Sequence, residues 1–541
     1  MIKKEVKYVV VTGGVLSGLG KGLFISSLGK ILKVRGYNIV PIKIDPYVNV
    51  DAGTMNPVEH GEVFVLDDGS EVDMDLGTYE RFLDLKLDSS SSITTGKIFS
   101  KVIERERKGD YLGKTVQVIP YITDELQSWF KRVGEEKNAD IVLIEIGGTV
   151  GDIENQLFLE AVRQLSLEED VFFVHCSLVP VLGVVGEQKT KPTQQSVSLL
   201  RAMGILPHMI FCRSEKPLAQ NIKEKISKFC GVHTDYVISG PDLKNIYEIP
   251  LVLENQQVAE KVLSHLGLVV GEPDLEEWRK FSFNAIKSKK AINIAITGKY
   301  TALKDAYVSI FEAITHSQAE AGCRVNVKWV ETTDIEEGKI KVEDALKDID
   351  GIIVPGGFGS RGIKGKIECI KYARENNIAF LGICLGFQLA VIEFARNVCG
   401  IKDADSTEFD SNAKEPVIDI MESQKGIHEK GGTMRLGVYP AILKENSKIK
   451  SLYNSDIAYE RHRHRFEVNN KYKDILEDKG IFFSGISPDE KLMEFLELPK
   501  NDYFIATQAH PELTSRPLNP SPLFLGLIKA CYEKKFGNDI R

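Results

Sequence analysis

The stretch VVVTGGVLSGLGKGLF, residues 9–24, joins a β-branched run to an apolar helical pattern through a glycine-rich turn. This arrangement is typical of a phosphate-binding loop, in which Lys21 would contact the β- and γ-phosphates. The usual loop reads G-x-x-x-x-G-K-[ST], and its final hydroxyl binds magnesium. Here Val15 stands where the first glycine is usual, and Gly22 stands where the hydroxyl is usual. Taken alone, the stretch also fits an ordinary glycine-rich turn between a strand and a helix.

The composition indicates a globular protein of several domains. At roughly 150 residues per domain, a chain of 541 residues should form two to four domains. The net charge of -8 argues against general nucleic-acid binding. The eight cysteines form no C-x-x-C pair, which disfavours a zinc knuckle and fits a reducing cytosol. The apolar runs are too short for a signal peptide or a membrane span, so we expect a cytoplasmic protein with no nucleic-acid and no membrane partner.

Two halves of the chain alternate strand-like runs with helical patterns. The first half contains KYVVVTG, NIVPIKID, TVQVIP, ADIVLIEIGG, VFFVHC and ILPHMIFC. A charged stretch at 272–290 then predicts a linker with some helix, after which AINIAITGKY, RVNVKWVE, DGIIVPGG and NIAFLGIC restart the alternation. Val/Ile-rich runs between helices are typical of parallel sheets covered on both faces. We predict an α/β protein of two doubly wound domains, each with a mostly parallel sheet covered by helices, at 1–271 and 291–541.

A candidate nucleophile lies in NIAFLGICLGFQLAVIEFA, residues 377–395. A strand-like run ends at Cys384, which Gly382 and Gly386 flank, and a helical pattern follows. Flanking glycines allow the sharp strand-to-helix turn of a nucleophile elbow. A helix N-terminus favours the reactive thiolate form of cysteine. The alternative is a buried cysteine that packs as a small hydrophobe.

A cysteine nucleophile needs a base and a group that orients the base. The stretch ATQAHPELTSRP supplies His510 and, two residues on, Glu512. On an extended segment these side chains would point the same way, so the carboxylate could fix the imidazole tautomer. The backbone amides of Gly357, in VPGGFGSRG, and of Leu385 are candidate oxyanion donors. A lone His-Pro-Glu would otherwise be an incidental surface sequence.

The motifs P-G-G-F-G, G-x-C-x-G and H-P-E occur in this order, and residues 291–541 resemble the class I glutamine amidotransferases. That family cleaves glutamine through a thioester and releases ammonia. The chain has QAHPEL where many members carry an aromatic residue between Gln and His, and we expect this to alter packing and not chemistry. The resemblance implies that the first domain prepares an electrophile for ammonia.

Carboxylates at strand ends could replace the missing hydroxyl of the phosphate loop. Asp75 lies beside a glycine in DMDLGTYERF, and Glu145 ends the apolar strand IVLIEI. A buried acid is costly unless it is paired, and Mg²⁺ prefers such oxygen ligands. Lys43 ends another strand. The loop GEQKTKPTQQS, residues 186–196, could bind a second polyphosphate or could be a solvated loop.

Longer segments extend the resemblance to the whole chain. GTMNPVEHGEVFV, GDYLGKTVQVIP, EIGGTVGDIE, KTKPTQ, STEF and ERHRHRFEVNN together resemble the CTP synthase family. The resemblance implies an enzyme that uses ATP to aminate UTP to CTP. ATP would phosphorylate the uracil 4-oxygen with help from Mg²⁺, Lys21 and Lys43, and ammonia from glutamine would cross between domains to displace the phosphate. It also implies GTP as an activator, CTP as a product inhibitor, a homotetramer and assembly into filaments.

The resemblance implies a role for particular positions of this sequence. The ATP-binding residues would be Gly18, Leu19, Gly20, Lys21, Gly22, Leu23, Asp75, Pro241, Asp242 and Leu243. The metal would be held by Asp75 and Glu145. UTP or CTP would contact Ser17, Asp152, Ile153, Glu154, Lys189, Thr190, Lys191, Pro192, Thr193, Gln194 and Lys225. Glutamine would contact Gly357, Leu385, Gly386, Phe387, Gln388, Glu408 and Arg465. His60 would line the ammonia path, and Arg361 would belong to a lid beside the GTP site.

Some features depart from the family pattern or fit other classes. Gly18 stands where many members have a second serine, and Pro241 stands where a lysine or arginine is usual. The stretch ERHRHRFE, residues 460–467, predicts a strand with its three arginines on one face, of which Arg465 could bind a carboxylate. Two rival classes are a cobyric-acid-type amidase, which should lack KTKPTQ, and a partitioning-type ATPase, which should lack a second catalytic domain.

Overall fold

The computed structural model describes residues 5–182, 186–298, 304–426 and 431–537. The chain forms two compact units. Unit 1 comprises Met1–Ala52 and Asp75–Arg279, and unit 2 comprises Gly53–Met74 and Lys280–Arg541. The chain therefore leaves unit 1 after β2, contributes a short segment to unit 2, and returns at Asp75.

The elements up to residue 290 are eleven strands and eleven helices in the described part of the chain. The strands are β1 (Lys7–Gly13), β2 (Ile39–Asp45), β3 (Val63–Val65), β4 (Glu71–Asp73), β5 (Ser92–Thr94), β6 (Ile141–Ile146), β7 (Val171–Leu178), β8 (Val181–Leu182), β9 (Glu187–Gln188), β10 (Met209–Ser214) and β11 (Val237–Pro241). The helices are α1 (Lys21–Lys33), α2 (Pro57–His60), α3 (Met74–Leu83), α4 (Thr95–Lys108), α5 (Thr123–Glu136), α6 (Gln156–Leu165), α7 (Lys191–Ala202), α8 (Gln220–Cys230), α9 (Ile249–Glu254), α10 (Val258–His265) and α11 (Glu276–Lys287).

The remaining elements follow in chain order. The strands are β12 (Ala291–Gly298), β13 (Arg324–Glu331), β14 (Gly351–Val354), β15 (Ala379–Ile383), β16 (Ala404–Ser406), β17 (Glu415–Ile420), β18 (Arg435–Leu443), β19 (Ile457–His464), β20 (Phe466–Val468), β21 (Phe482–Ile486), β22 (Met493–Glu497) and β23 (Phe504–Thr507). The helices are α12 (Val308–Ala321), α13 (Thr332–Glu336), α14 (Val342–Ala345), α15 (Ile363–Glu375), α16 (Leu385–Asn397), α17 (Lys448–Tyr453), α18 (Lys473–Lys479) and α19 (Pro522–Phe536).

Unit 1 is built on a parallel sheet in the order β11-β10-β7-β1-β6-β2-β5. Strands β1, β2 and β6 are buried at every residue, as expected for parallel strands covered by helices on both faces. The register aligns Lys43 of β2 with Glu145 of β6, and Val11 of β1 with the same glutamate. The register therefore brings Lys43 and Glu145 together toward the carboxyl ends of these strands, where ligands bind in open α/β sheets.

Unit 2 contains a nine-stranded sheet in the order β13-β12-β14-β15-β23-β22-β21-β18-β19. The strands from β13 to β23 pair in parallel, and those from β22 to β19 continue antiparallel. The segment 53–74 adds the antiparallel hairpin β3–β4. Strands β14, β15 and β23 end just before Pro355, Cys384 and Gln508, so the three motifs meet at one edge of the sheet. The predicted α/β fold class is confirmed.

Two local predictions were wrong. TVQVIP, residues 115–120, forms no strand: it runs irregularly into a wide helical turn at Val118–Ile122. Val118 and Ile119 are about half exposed, so their β-branched side chains lie outside the sheet. Strand β19 ends at His464, and Arg465 lies in the bend before β20, so the three arginines do not share one strand. In the described ranges, no helix has the length and apolarity needed to cross a bilayer.

Candidate active sites

Cys384 lies in a strained turn between β15 and α16. Its backbone has φ 51° and ψ -99°, a conformation that a non-glycine residue adopts only when its surroundings hold it there. The Cys384 N–H donates to the Thr507 carbonyl at 2.8 Å. A Cβ atom on Gly386 would lie 2.1 Å from the Val354 carbonyl oxygen, so this turn requires glycine there. The predicted elbow geometry is therefore present.

The partly buried His510 pairs with the buried Glu512, with His510 Nδ1 2.7 Å from Glu512 Oε1. Residues 511–514 make a turn and not the predicted extended segment, and the turn still brings the two side chains together. Burial lowers the pKa of His510, but attraction to Glu512 and Cys384 outweighs it and raises that pKa to about 10. The imidazole is therefore protonated at neutral pH.

Two cavities meet at Cys384. The smaller, of about 60 Å³, is lined by Gly357, Phe358, Cys384, Gln388, Glu408, His464, Arg465 and Phe466. The larger, of about 240 Å³, is lined by Glu62, Val63, Ala306, Tyr307, Ile310, Pro355, Gly356, Gly357, Phe358, Lys366, Cys384, Arg463, His510, Glu512 and Leu513. Cys384 therefore lines both cavities.

The small cavity contains four of the seven residues predicted to bind glutamine: Gly357, Gln388, Glu408 and Arg465. The other three, Leu385, Gly386 and Phe387, form the buried first turn of α16 and do not line it. The Arg465 guanidinium donates to Gln424 Oε1 at 2.6 Å and to Thr433 Oγ1 at 2.9 Å. Sequence reasoning missed these two positioning partners, which carry no motif of their own.

The predicted ammonia-path and lid residues lie nearby in unit 2. His60 ends the short helix α2 and is exposed, and it does not line the larger cavity. Glu62 and Val63, two and three residues on, do line it. Arg361 lies in an exposed turn between β14 and α15.

In unit 1, the loop before α1 holds three residues in the left-handed backbone region. Gly18 and Gly20 have φ values of 75° and 85°, and Val15 has a φ of 83°, which is strained for a β-branched residue. Lys21 folds back along the end of β1, where its Nζ donates to the Gly148 carbonyl at 2.9 Å. A Cβ on Gly13 would lie 2.7 Å from Lys21 Cδ. Leu19 is buried and Leu23 is half-buried, so these two serve the loop through their backbone.

A carboxylate occupies the space of the missing hydroxyl. A Cβ on Gly22 would lie 2.6 Å from Asp75 Oδ1 and 3.5 Å from Glu145 Oε2. The Lys43 ammonium contacts Asp75 directly and lies 3.2 Å from Glu145 Oε1. Tyr79 donates a hydrogen bond to the other oxygen of Glu145. Gly22 is thus the residue that lets Asp75 approach the start of α1, whereas Glu145 lies at an ordinary contact distance.

The two acids fit a magnesium site of few protein ligands. Burial and the charge of Asp75 raise the pKa of Glu145, whereas Lys43 and Lys21 oppose that rise. A cation at this point would stabilise both carboxylates. Among the described residues, no cluster of three or more His, Cys, Asp or Glu side chains could hold a metal. A magnesium ion here would therefore complete its shell with phosphate oxygens and water.

Six of the residues predicted to bind UTP or CTP, Lys189 to Gln194, precede or begin α7, and a seventh, Lys225, lies on α8. Lys189 pairs with Glu187 at 2.6 Å, and Lys225 on α8 contributes to lowering the pKa of Glu187. Within the loop, Thr193 Oγ1 donates to the Leu178 carbonyl at 2.9 Å. The remaining members, which are Thr190, Lys191, Pro192 and Gln194, form the start of α7. Lys189 and Lys225 therefore both act on Glu187.

The other predicted nucleotide contacts are loop residues of unit 1. Ser17 is exposed in the phosphate loop, and Asp152, Ile153 and Glu154 are exposed between β6 and α6. Pro241 ends β11, followed by Asp242 and Leu243 in a loop. These positions are open to solvent, which a ligand contact requires.

Sequence reasoning missed Arg213 and His175. Arg213 Nε donates to Asp242 Oδ1 at 2.8 Å, and its Nη1 lies 3.7 Å from the position of a Cβ on Gly20. Arg213 lies near the carboxyl end of β10, and a position at a strand end was also the signal that identified Lys43. His175 bridges Thr12 at 2.9 Å and Ser196 at 2.7 Å, and burial lowers its pKa to about 3. A neutral imidazole thus joins β1 to α7.

Comparison with known proteins finds a family match for each half of the chain. The family model described as CTP synthase N-terminus matches residues 7–268, and that described as glutamine amidotransferase class-I matches 302–530. The chain is 54% identical to the CTP synthase of Caldanaerobacter subterraneus subsp. tengcongensis, over 98% of this chain and 99% of that protein. It is 55% identical to that of Thermococcus gammatolerans, with the same coverage.

A solved structure, the Trypanosoma brucei CTPS glutaminase domain with bound acivicin, is 35% identical. It covers 45% of this chain and 94% of its own, with a TM-score of 0.42. Full-length identity above one half, together with two family matches that cover the elbow and the phosphate loop, identifies the family. The chain belongs to the CTP synthase family, whose members are glutamine-hydrolysing ligases.

Proposed function

We propose that the chain aminates UTP to CTP with ATP, using glutamine or free ammonia as the nitrogen donor. The observation that carries this proposal is that one chain combines a cysteine–imidazolium pair with a glycine-rich loop of the phosphate-binding type. The first is Cys384 with His510, and the second is Lys21 with Asp75 at the place of the missing hydroxyl. Residues 1–271 would form the synthase and 291–541 the glutaminase, with 272–290 as the linker.

The glutaminase reaction follows from the arrangement around the sulfur. The Cys384 thiolate attacks the side-chain amide of glutamine, and His510 gives its proton to the departing ammonia. The backbone N–H groups of Leu385 and Gly357 are the oxyanion donors, and Leu385 begins a helix whose dipole favours negative charge. Water then hydrolyses the thioester. Glutamate leaves, and the pair returns to its starting protonation state.

The small cavity carries the two opposite charges that a site for a zwitterionic amino acid needs. It contains one guanidinium, Arg465, and one carboxylate, Glu408. These would pair with the α-carboxylate and α-ammonium of glutamine, while Gln388 reaches the side-chain end beside Cys384. The ammonia path would begin in the larger cavity and pass the segment that contains His60.

The synthase reaction uses the cations of unit 1. The uracil 4-oxygen of UTP attacks the γ-phosphorus of ATP, ADP leaves, and ammonia then displaces phosphate from the 4-phosphorylated intermediate. Lys21 and Lys43 neutralise the charge of the transferred phosphoryl group. Asp75 and Glu145 would hold Mg²⁺, which neutralises phosphate charge when bound. Gly18 to Leu23, with Asp242, would hold ATP, and Lys189 to Gln194, with Lys225, would hold UTP or inhibitory CTP.

Regulation and assembly belong to the same proposal. GTP would activate glutamine use beside Arg361, and CTP would inhibit through the triphosphate contacts that it shares with UTP. The protein would act in the cytoplasm as a homotetramer that can form filaments. Light scattering with and without nucleotides measures that assembly.

The direct test is a product assay. The protein is mixed with ATP, UTP and Mg²⁺, and with either glutamine or ammonium salt, while the absorbance change of UTP conversion is followed. CTP should form with either nitrogen source and only when both nucleotides are present. Hydrolysis of glutamine and ATP without any CTP would point to another acceptor, such as the acid substrate of an amidase.

The metal part has its own test. Asp75→Asn and Glu145→Gln should each raise the Mg²⁺ concentration needed for half-maximal synthesis, because each removes an anionic oxygen. Glutamine hydrolysis in the same samples serves as the folding control. Unchanged magnesium titrations in both variants would place the metal elsewhere.

A further inference from the structure

The Gln508 side chain lies beside the reactive sulfur. It is fully buried, directly follows β23, and its Nε2 is 3.7 Å from Cys384 Sγ. Its Oε1 is 3.2 Å from Gln388 Nε2. Gln508 therefore contacts a reacting atom, although the mechanism above uses only His510 and the backbone amides.

The hydrogen-bond chain fixes which end of the Gln508 amide faces the sulfur. The Phe466 carbonyl can only accept, so Gln388 must turn its NH₂ group toward it, at 3.0 Å. The same NH₂ group approaches the Gln508 amide, and two donors cannot face each other. Gln508 must therefore present its oxygen to Gln388 and its NH₂ group to Cys384.

We propose that Gln508 is a catalytic residue that donates an N–H to the Cys384 thiolate and so keeps the sulfur charged and oriented for attack on glutamine. A donor stabilises the thiolate selectively, since a charged acceptor strengthens the hydrogen bond. Another neighbour, the Arg463 carbonyl oxygen at 3.9 Å, can only accept a hydrogen bond from the sulfur. This inference rests on the glutaminase reaction proposed above.

Other charged groups also face the sulfur, so the contribution of Gln508 must be separated from theirs. His510, backed by Glu512, and Lys366 of α15 line the larger cavity with Arg463 of β19. Glu408 and Arg465 line the smaller one. These groups remain when Gln508 is replaced, so the loss of its donor should shift the thiol titration and not abolish it.

The test measures the reactivity of Cys384 against pH. Iodoacetamide labels the full-length protein, and mass spectrometry follows the peptide that contains Cys384, which distinguishes it from the other seven cysteines. Gln508→Met keeps the length of the side chain without a donor, and Gln508→Leu keeps the volume. Both should move the labelling profile about one pH unit to the alkaline side, with about a tenfold loss of glutaminase kcat/KM.

The controls separate chemistry from packing. Gln318→Leu removes another amide of unit 2, one that contacts Ala285 and Val325, and it should leave the labelling profile unchanged. Ammonia-dependent synthesis reports that each variant is folded. A wild-type profile in Gln508→Met would overturn the inference, because a residue that only fills space is replaced by methionine without a titration shift. Glutaminase activity that survives Cys384→Ala would instead overturn the proposed function.

Discussion

Restoring the usual hydroxyl of the phosphate loop should inactivate the synthase. Gly22→Ser gives the sequence G-K-S, yet its Cβ would lie 2.6 Å from Asp75 Oδ1. Ordinary contacts need about 3.5 Å, so the carboxylate must retreat by about 1 Å. Lys43 holds Asp75 from the other side, so this retreat also disturbs the cation.

The expected loss follows from that displacement. A misplacement of about 1 Å at a reacting centre costs about 10²-fold in rate, and overpacking costs about 1–3 kcal/mol of stability. We expect kcat for ammonia-dependent CTP formation to fall by about 10²-fold, whereas glutamine hydrolysis at Cys384 continues. The assay is CTP absorbance with ammonium salt, beside a glutamate-release assay.

Gly22→Ala is the matched variant, because it adds the same Cβ without a hydroxyl. Both variants should be equally impaired. If Gly22→Ser were as active as the wild type, a Cβ at this position would not displace the Asp75 carboxylate. The argument from this clash would then be refuted.

Four further predictions test the remaining groups. Lys21→Ala should lower CTP formation with either nitrogen source on the order of 10³-fold, and near-normal ammonia-dependent synthesis would remove Lys21 from the ATP site. Cys384→Ala should lose glutamine-dependent synthesis and keep ammonia-dependent synthesis; loss of both in a folded variant would argue against two separate sites. Glu512→Gln removes an attraction that raises the pKa of His510, so the imidazole should lose its proton at lower pH and the alkaline fall of glutaminase activity should begin earlier. Lys189→Ala should weaken UTP and CTP binding together in calorimetry, and an equal loss of ATP binding would contradict a separate pyrimidine site.

The sequence predicted those features of the site that depend on residues close together in the chain. Glycines on both sides of Cys384 allow a sharp turn. His510 and Glu512 lie two residues apart, so they stay close in the observed turn as they would in the predicted extended segment. The role of Gly22 was not predicted. The residue that explains it, Asp75, is 53 positions away and reaches the loop only through the folded sheet.

Long-range contacts account for the other misses. Arg213 and His175 lie on neighbouring strands of unit 1. The residues that they contact depend on the order of the strands in the sheet, and local sequence patterns do not encode that order. The failure at 115–120 has a different cause, because β-branched composition favours a strand only where a neighbouring strand is available to pair with it. Composition alone did not show that this segment lies outside the sheet.

Because of the hairpin β3–β4, a single crossover in the gene cannot separate the coding regions of the two units. Its Asp67 and Glu71 pair with Arg461 and Arg463 of β19, at 2.6 and 2.7 Å. A chimera of two relatives joined once near residue 280 would combine the hairpin of one parent with the arginine strand of the other. Recombination that preserves these ion pairs must therefore exchange residues 53–74 together with the C-terminal half. We expect the two stretches to be inherited together, although more than 200 residues separate them.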